Sequence, residues 1–346
     1  MKFFGRRASA TETYGEEYLQ LQMTVTYLNT TPKTPVYHKP PLERFATTNI
    51  FVLIPGNPGL VDFYISYLDS IRKHFPQFET LCIGHVGFLD STKRKTYDVS
   101  YQIEHKYDVL KQLILTKNES NIIPNLYFLH HSMGSFVYQR TIRRLYHDKN
   151  LNGKFNIKFS GFVTPTIHNI SASSSGRVLS GLMQKKVPIV SIVLVFRFFV
   201  SLIPALILRK LLYYHLLGNK TGNGFENSVE GAYKIVKSGT VVKQALEMAK
   251  EEMLVIDTQD DINDWYFKHS DNGIKNWLFF ARDDHWVANE TREYLINKYG
   301  NSDNTICEVC DDEVNPISHS FCVAQSEQFA NITVERIKEI CNVDLD

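Results

Sequence analysis

The chain has 346 residues, 43% of them hydrophobic and 22% charged, with a formal net charge of +1. The apolar fraction excludes a globally disordered chain, and the length suits one large α/β domain with an insertion, or two modest domains. A charge balance this close to zero, with no basic stretch standing out, leaves no footprint for nucleic acid.

The opening Met1-Lys2-Phe3-Phe4-Gly5-Arg6-Arg7 is basic but holds no apolar run of signal-peptide length, so a cytosol-facing protein is expected. An alternating stretch from Leu19 to Tyr27 reads as one or two edge strands, followed by prolines at 32, 35, 40 and 41. Phe51-Val52-Leu53-Ile54 is a short apolar run entering Pro55-Gly56-Asn57-Pro58-Gly59, a buried strand ending in a tight loop. Helical spacing follows from Phe63 to Phe75. The pattern recurs as a strand over Thr80–Ile83, a helix over Val99–Leu115, a strand over Leu126–Leu129, a helix over Met133–Tyr146 and a strand over Phe159–Val163. Strands alternating with helices imply parallel βαβ units and a mostly parallel, doubly wound sheet.

The alternation stops over about 166–274. It resumes with a strand over Trp277–Phe280, a helix near Glu290–Lys298, a strand near Thr305–Cys310 and a last helix over Ser326–Ile340. The expected organisation is an α/β core from 1–165 and 275–346, with a helical cap or lid inserted at 166–274. The five cysteines include the pair Cys307 and Cys310, which falls in a strand and reads as buried and reduced, not as a metal or redox site.

The chemistry centres on His130-His131-Ser132-Met133-Gly134, which joins a strand to a helix. A sharp turn there lifts the Ser132 hydroxyl above the sheet edge and aims the Met133 N–H, at a helix N-terminus, at the same point. The usual pattern is G-x-S-x-G. His130 stands where the first glycine belongs, and a side chain there either distorts the turn or points outward.

A serine nucleophile needs a base oriented by an acid, in the chain order Ser, Asp or Glu, His for an α/β-hydrolase fold. Ala281-Arg282-Asp283-Asp284-His285-Trp286 follows a late strand, and Asp284 is preferred to Asp283 because it lies deeper in the loop. His319, after the last strand, can reach back to Ser132. His131 and His285 compete with it, but His131 should face away from the serine and His285 is too close in sequence to Asp284. The oxyanion donors expected are the backbone N–H groups of Met133 and Asn57, since Pro58 has none. No metal and no organic cofactor is required.

These segments resemble the lipid droplet-associated hydrolases: the Pro-Gly-Asn-Pro-Gly loop with Phe63-Tyr64, the His-Ser-Met-Gly elbow, Asp284-His285-Trp286 and Ser318-His319-Ser320-Phe321. The resemblance covers about 50–165 and 275–340. It implies an α/β-hydrolase fold, a Ser132–Asp284–His319 triad, and hydrolysis of lipid esters such as triacylglycerol or sterol esters at lipid droplets or the endoplasmic reticulum. His130 departs from the family's glycine, which bears on catalytic rate more than on fold.

Within the insertion, 187–208 is nearly continuous apolar sequence, long enough to span a bilayer. Arg197 in its middle, basic residues on both flanks (Lys185-Lys186 and Arg209-Lys210) and ends that return to one sheet argue instead for a hairpin or shallow interfacial element over Ser132. Pro204 favours a bend there. The partners expected are a neutral lipid ester and a droplet or membrane surface. The alternatives are a soluble short-chain carboxylesterase with an apolar cap, or a lipid-surface binding protein on an inactive scaffold.

Overall fold

The computed structural model describes residues 25–28, 32–42, 48–89, 95–217, 225–270 and 273–341. Among them an eight-stranded sheet runs in the order β1-β2-β4-β3-β5-β6-β7-β8. Its strands are β1 (Val25–Leu28), β2 (Thr34–Lys39), β3 (Asn49–Ile54), β4 (Glu79–Ile83), β5 (Asn125–His131), β6 (Asn156–Val163), β7 (Lys275–Phe280) and β8 (Thr305–Val309). β1 and β2 are antiparallel, and every pairing from β4 to β8 is parallel. This is the doubly wound sheet that the alternation implies.

The core helices are α1 (Ile65–His74), α2 (Val99–Glu119) and α3 (Met133–His147). The opposing faces of β3 and β5 show how they divide. Phe51 and Tyr127 are paired in register and contact Tyr67 of α1 and Phe78, whereas the next residue, Phe128, meets Tyr138 of α3. Successive side chains of a strand point to opposite faces, so α1 and α3 cover opposite sides. Both faces being covered, β3 is apolar from Ile50 onward, with Phe51, Val52, Leu53 and Ile54 fully buried.

Two edges differ from expectation. Residues 1–24 lie outside the described residues, so of the Leu19–Tyr27 stretch only the end is seen, in β1. The segment carrying Pro35 is itself the strand β2. Pro35 precedes the β2–β4 register, which starts at Val36, and its carbonyl accepts the Gly84 N–H, so no ladder donor is missed there.

Between β6 and β7 the described residues form six α-helices: α4 (Ser174–Gln184), α5 (Ile189–Ser201), α6 (Ala205–Leu217), α7 (Phe225–Lys237), α8 (Gly239–Val255) and α9 (Asp261–Ser270). The apolar run at 187–208 is broken at Pro204, where α5 has ended and α6 begins. No single helix among the described residues is long and apolar enough to cross a membrane, although α4 and α5 form a pair bent by 106° that passes by length and composition. After β7 follow α10 (Asn289–Tyr299), β8, a short α11 (Phe321–Ala324) that periodicity did not reveal, and α12 (Ser326–Cys341). All five cysteines are free; Cys310 is buried and Cys307 half-buried on β8.

Candidate active site

Ser132 sits at the junction of β5 and α3 with φ 53° and ψ −126°, a region that L side chains adopt only under constraint. Its N–H donates to Val163 O at 3.0 Å and its own carbonyl accepts the Ser135 N–H at 3.0 Å, so the strained residue is held from both sides. Gly134 makes the tight turn possible. A Cβ there would stand 2.5 Å from Ile54 O and 2.6 Å from Pro55 O. Gly56 performs the same service for the β3 loop, because a Cβ on it would come within 3.1 Å of the Ser132 Cβ. The two loops therefore meet beside the serine hydroxyl.

The structure brings the three distant side chains together at the carboxyl ends of β5, β7 and β8. The Ser132 hydroxyl donates to His319 Nε2 at 3.1 Å, and His319 Nδ1–H donates to Asp284 Oδ2 at 2.8 Å. Asp284 Oδ1 accepts the N–H groups of Trp286 at 2.7 Å and Val287 at 3.0 Å. Burial raises the pKa of Asp284, but the hydrogen bond and charge of His319 and the two backbone donors outweigh it and hold the carboxyl below its ordinary value. Asp283 is exposed and Asp284 is not, which separates the two candidate acids. His285 is also exposed; its ring lies 5.8 Å from that of His319 and does not join the chain of bonds.

Two histidines behave differently from expectation. His130 neither distorts the elbow nor points outward. It is fully buried, with its ring stacked on Tyr138 at 4.0 Å and edge-on to Phe162 at 4.1 Å. The Ser135 hydroxyl donates to His130 O, so His130 Nδ1–H donates to Ser135 Oγ at 2.9 Å and Nε2 accepts from Ser160 at 3.0 Å. Burial pushes the pKa of this fully bonded neutral ring well down. His131 does not face away from the site. It is buried against the His319 loop, bonded to Tyr64 Oη and to His319 O.

Asn57 follows Gly56 on the loop that meets Ser132, with a cis bond to Pro58. Its side chain turns to the insertion, donating to Ala245 O at 2.9 Å and to Glu252 Oε1 at 2.8 Å on α8. Met133 is the first residue of α3, with Ser132 as its N-cap; the first N–H groups of a helix have no partner within it. Glu252 is buried, and burial raises its pKa to about 8, with the Asn57 bond lowering it and Glu251 raising it further. No sequence signal pointed to this contact, because it joins positions 195 apart and Glu252 lies in a helix of the insertion with no motif to mark it. Among the described residues no cluster of metal-ligating side chains occurs.

A cleft opens beside Asp284. That cleft, of about 480 Å³, is lined by Ser174, Arg177, Asp283, His285 and Glu290, and Ser132 is not among its walls. Apolar surface is instead presented outward. On α5, Ile192, Val195, Phe196 and Phe199 form a stripe at helical spacing that faces solvent, continued by Leu202, Leu206 and Leu211; Phe196 is 70% and Leu206 78% exposed. Arg197, on the other side of α5, donates to Lys237 O at the end of α7. Arg209 pairs with Glu230 at 3.0 Å and stacks on Tyr233, so this flanking cation is engaged within the fold.

Comparison with known proteins agrees with this architecture. A model of the lipid-droplet associated hydrolase family matches residues 47–322. A lipid droplet-associated hydrolase of Gallus gallus is 21% identical over 309 residues, covering 84% of this chain and 85% of the relative. One from Rattus norvegicus is 26% identical over 149 residues, 37% of this chain and 41% of the relative. Among solved structures, a 2-hydroxy-6-oxo-6-phenylhexa-2,4-dienoate hydrolase from Rhodococcus superposes with a TM-score of 0.55 at 13% identity, covering 91% of this chain and all of that one. A carboxylesterase of Nitrososphaera gargenis gives 0.53 at 11% identity, covering 92% of this chain and 99% of its own. These likenesses show the α/β-hydrolase fold.

Proposed function

The chain belongs to the lipid-droplet associated hydrolase family, and we propose that it hydrolyses carboxylic esters of neutral lipids at a droplet or membrane surface through Ser132, His319 and Asp284. The observation that carries the reading is the unbroken chain of hydrogen bonds from the Ser132 hydroxyl through both nitrogens of His319 to Asp284. A serine hydroxyl alone is a poor nucleophile at neutral pH, and a base held in the right tautomer makes it competent.

Ser132 Oγ attacks the ester carbonyl carbon as its proton passes to His319 Nε2. Asp284 accepts the bond from Nδ1–H and balances the charge that develops on the imidazole. The carbonyl oxygen, now anionic, takes the N–H groups of Met133 and Asn57, a contribution typically worth about 3 kcal/mol per donor. The tetrahedral adduct collapses, the alcohol leaves with the proton from His319, and the acyl group remains on Ser132. A water molecule, deprotonated by the same imidazole, then releases the acid and restores the hydroxyl.

The lipid surface is inferred from the outward apolar stripe. A helix normally turns its apolar face to the core, and a large solvent-facing apolar patch marks a contact surface. Here α5 turns its arginine inward and its phenylalanines outward. The relatives' names place them at lipid droplets, and we extend that location to this protein, with 166–274 as the cap that carries the contact.

A fluorophosphonate probe tests the chemistry. Wild type should label and Ser132→Ala should not. Turnover of esters of rising chain length then distinguishes lipid esters from short-chain substrates. An intact wild type that never labels would favour a lipid-surface binding protein on an inactive scaffold.

A further inference from the structure

The hydrogen bonds behind Ser132 form a second chain that the triad does not use. His131 Nε2 lies 2.8 Å from His319 O, and its Nδ1 lies 2.7 Å from Tyr64 Oη. Gly56 N–H donates to the same Tyr64 oxygen at 3.1 Å. The directions follow from elementary bonding. A carbonyl only accepts, so His131 Nε2 carries a hydrogen; the neutral ring's Nδ1 is then an acceptor, and the tyrosine hydroxyl must donate to it. The Tyr64 oxygen keeps a lone pair for Gly56 N–H. The Cys322 thiol also lies in hydrogen-bond contact with this hydroxyl.

Both ends of the chain bear on the reaction. Gly56 adjoins Asn57 on the loop assigned to the oxyanion, and His319 is the assigned base. We propose that Tyr64 and His131 are positioning residues that lock the oxyanion loop and the His319 backbone into one register, an inference that rests on the hydrolytic reading above.

Packing supports it. Tyr64 is 2% and His131 6% exposed, so each bond is made away from competing water. Phe321, two residues beyond His319, sets its ring edge-on to both, at 6.4 Å from Tyr64 and 5.2 Å from His131. The rings of His131 and His319 are only 5.2 Å apart. A charged His131 would oppose the imidazolium that forms on His319, and the Tyr64 hydroxyl, by donating to Nδ1, favours the neutral ring. Burial and the proximity of His319 act in the same direction, moving His131 to a pKa of about 3.

The test uses the full-length protein and p-nitrophenyl butyrate, with Tyr64→Phe, His131→Leu, His131→Gln and the Tyr64→Phe/His131→Leu double variant. Displacing reacting groups by about 1 Å can cost about 100-fold. Tyr64→Phe and His131→Leu should therefore each lower kcat by about 10- to 100-fold while KM stays within about twofold. Glutamine keeps an amide N–H that can reach His319 O, so His131→Gln should recover to within about fivefold of wild type. Residues acting through one chain are not additive, so the double variant should be no worse than the poorer single one. If His131→Leu does not fold, Tyr64→Phe, which deletes one oxygen, and His131→Gln decide the matter. Retained kcat in Tyr64→Phe, no rescue by glutamine, or multiplying losses in the double variant overturns the assignment alone. A wild type that cleaves no p-nitrophenyl ester of any chain length, or whose turnover survives Ser132→Ala, defeats the hydrolytic reading itself and the positioning roles with it.

Discussion

Asn57 donates its side-chain amide to Glu252 at 2.8 Å, so the loop beside Ser132 is clasped by a helix from the insertion. Glu252 is buried at that contact with a pKa raised to about 8 from an ordinary 4.5, by burial above all. An acid shifted upward on folding contributes its full stability below the unfolded value and loses it as pH rises through the folded value.

Wild type should therefore lose melting temperature between about pH 5 and about pH 9, and Glu252→Gln, which stays neutral, should lose less. The gap at the alkaline end should be on the order of a few kcal/mol. Thermal unfolding of both proteins across that range checks it, and parallel curves would show that Glu252 is not held neutral.

The buried carboxylate at 284 orients His319, whereas Asp283 is exposed. Asp284→Asn should lower kcat for a soluble ester by about 10⁴-fold, because the Trp286 and Val287 N–H groups hold the amide oxygen and the NH₂ is left to donate to His319 Nδ1, which fixes the wrong imidazole tautomer. Asp283→Asn should stay within about threefold, as surface substitutions usually do. Steady-state kinetics on both variants decide which acid acts.

His130 fills the place of a glycine with a buried, doubly bonded ring. Restoring glycine should not improve the enzyme. His130→Gly leaves a cavity beside Tyr138 and takes a partner from both Ser135 and Ser160, so a loss of about 3–5 kcal/mol is expected in denaturant unfolding.

The outward stripe on α5 predicts loss of lipid binding when it is charged. Phe196→Glu with Phe199→Glu should abolish flotation with phosphatidylcholine vesicles or triolein droplets, with little change in thermal stability, because both side chains already face water. Unchanged flotation would move the contact elsewhere.

Apolar runs four to six residues long, separated by helical spacing, were enough to expose the parallel sheet, since both faces of such strands are buried and their patterns are local. Ser132, Asp284 and His319 were readable because each follows a strand at the sheet's carboxyl edge, where chain order fixes what can converge. The orientation of side chains around them was not local. Whether His130 pointed out or in depended on a slot between Tyr138 and Phe162, and whether His131 faced the site depended on Tyr64 and a carbonyl 188 positions away.

The sequence by itself determined the alternation of strands and helices, the elbow, and the chain order of Ser132, Asp284 and His319 at strand ends, because period and chain order are properties of neighbours. Only the tertiary structure decided the inward histidines, the Asn57–Glu252 clasp and the outward apolar face of α5. Those depend on which surfaces distant segments leave free, and burial and hydrogen-bond satisfaction are settled only when those segments meet.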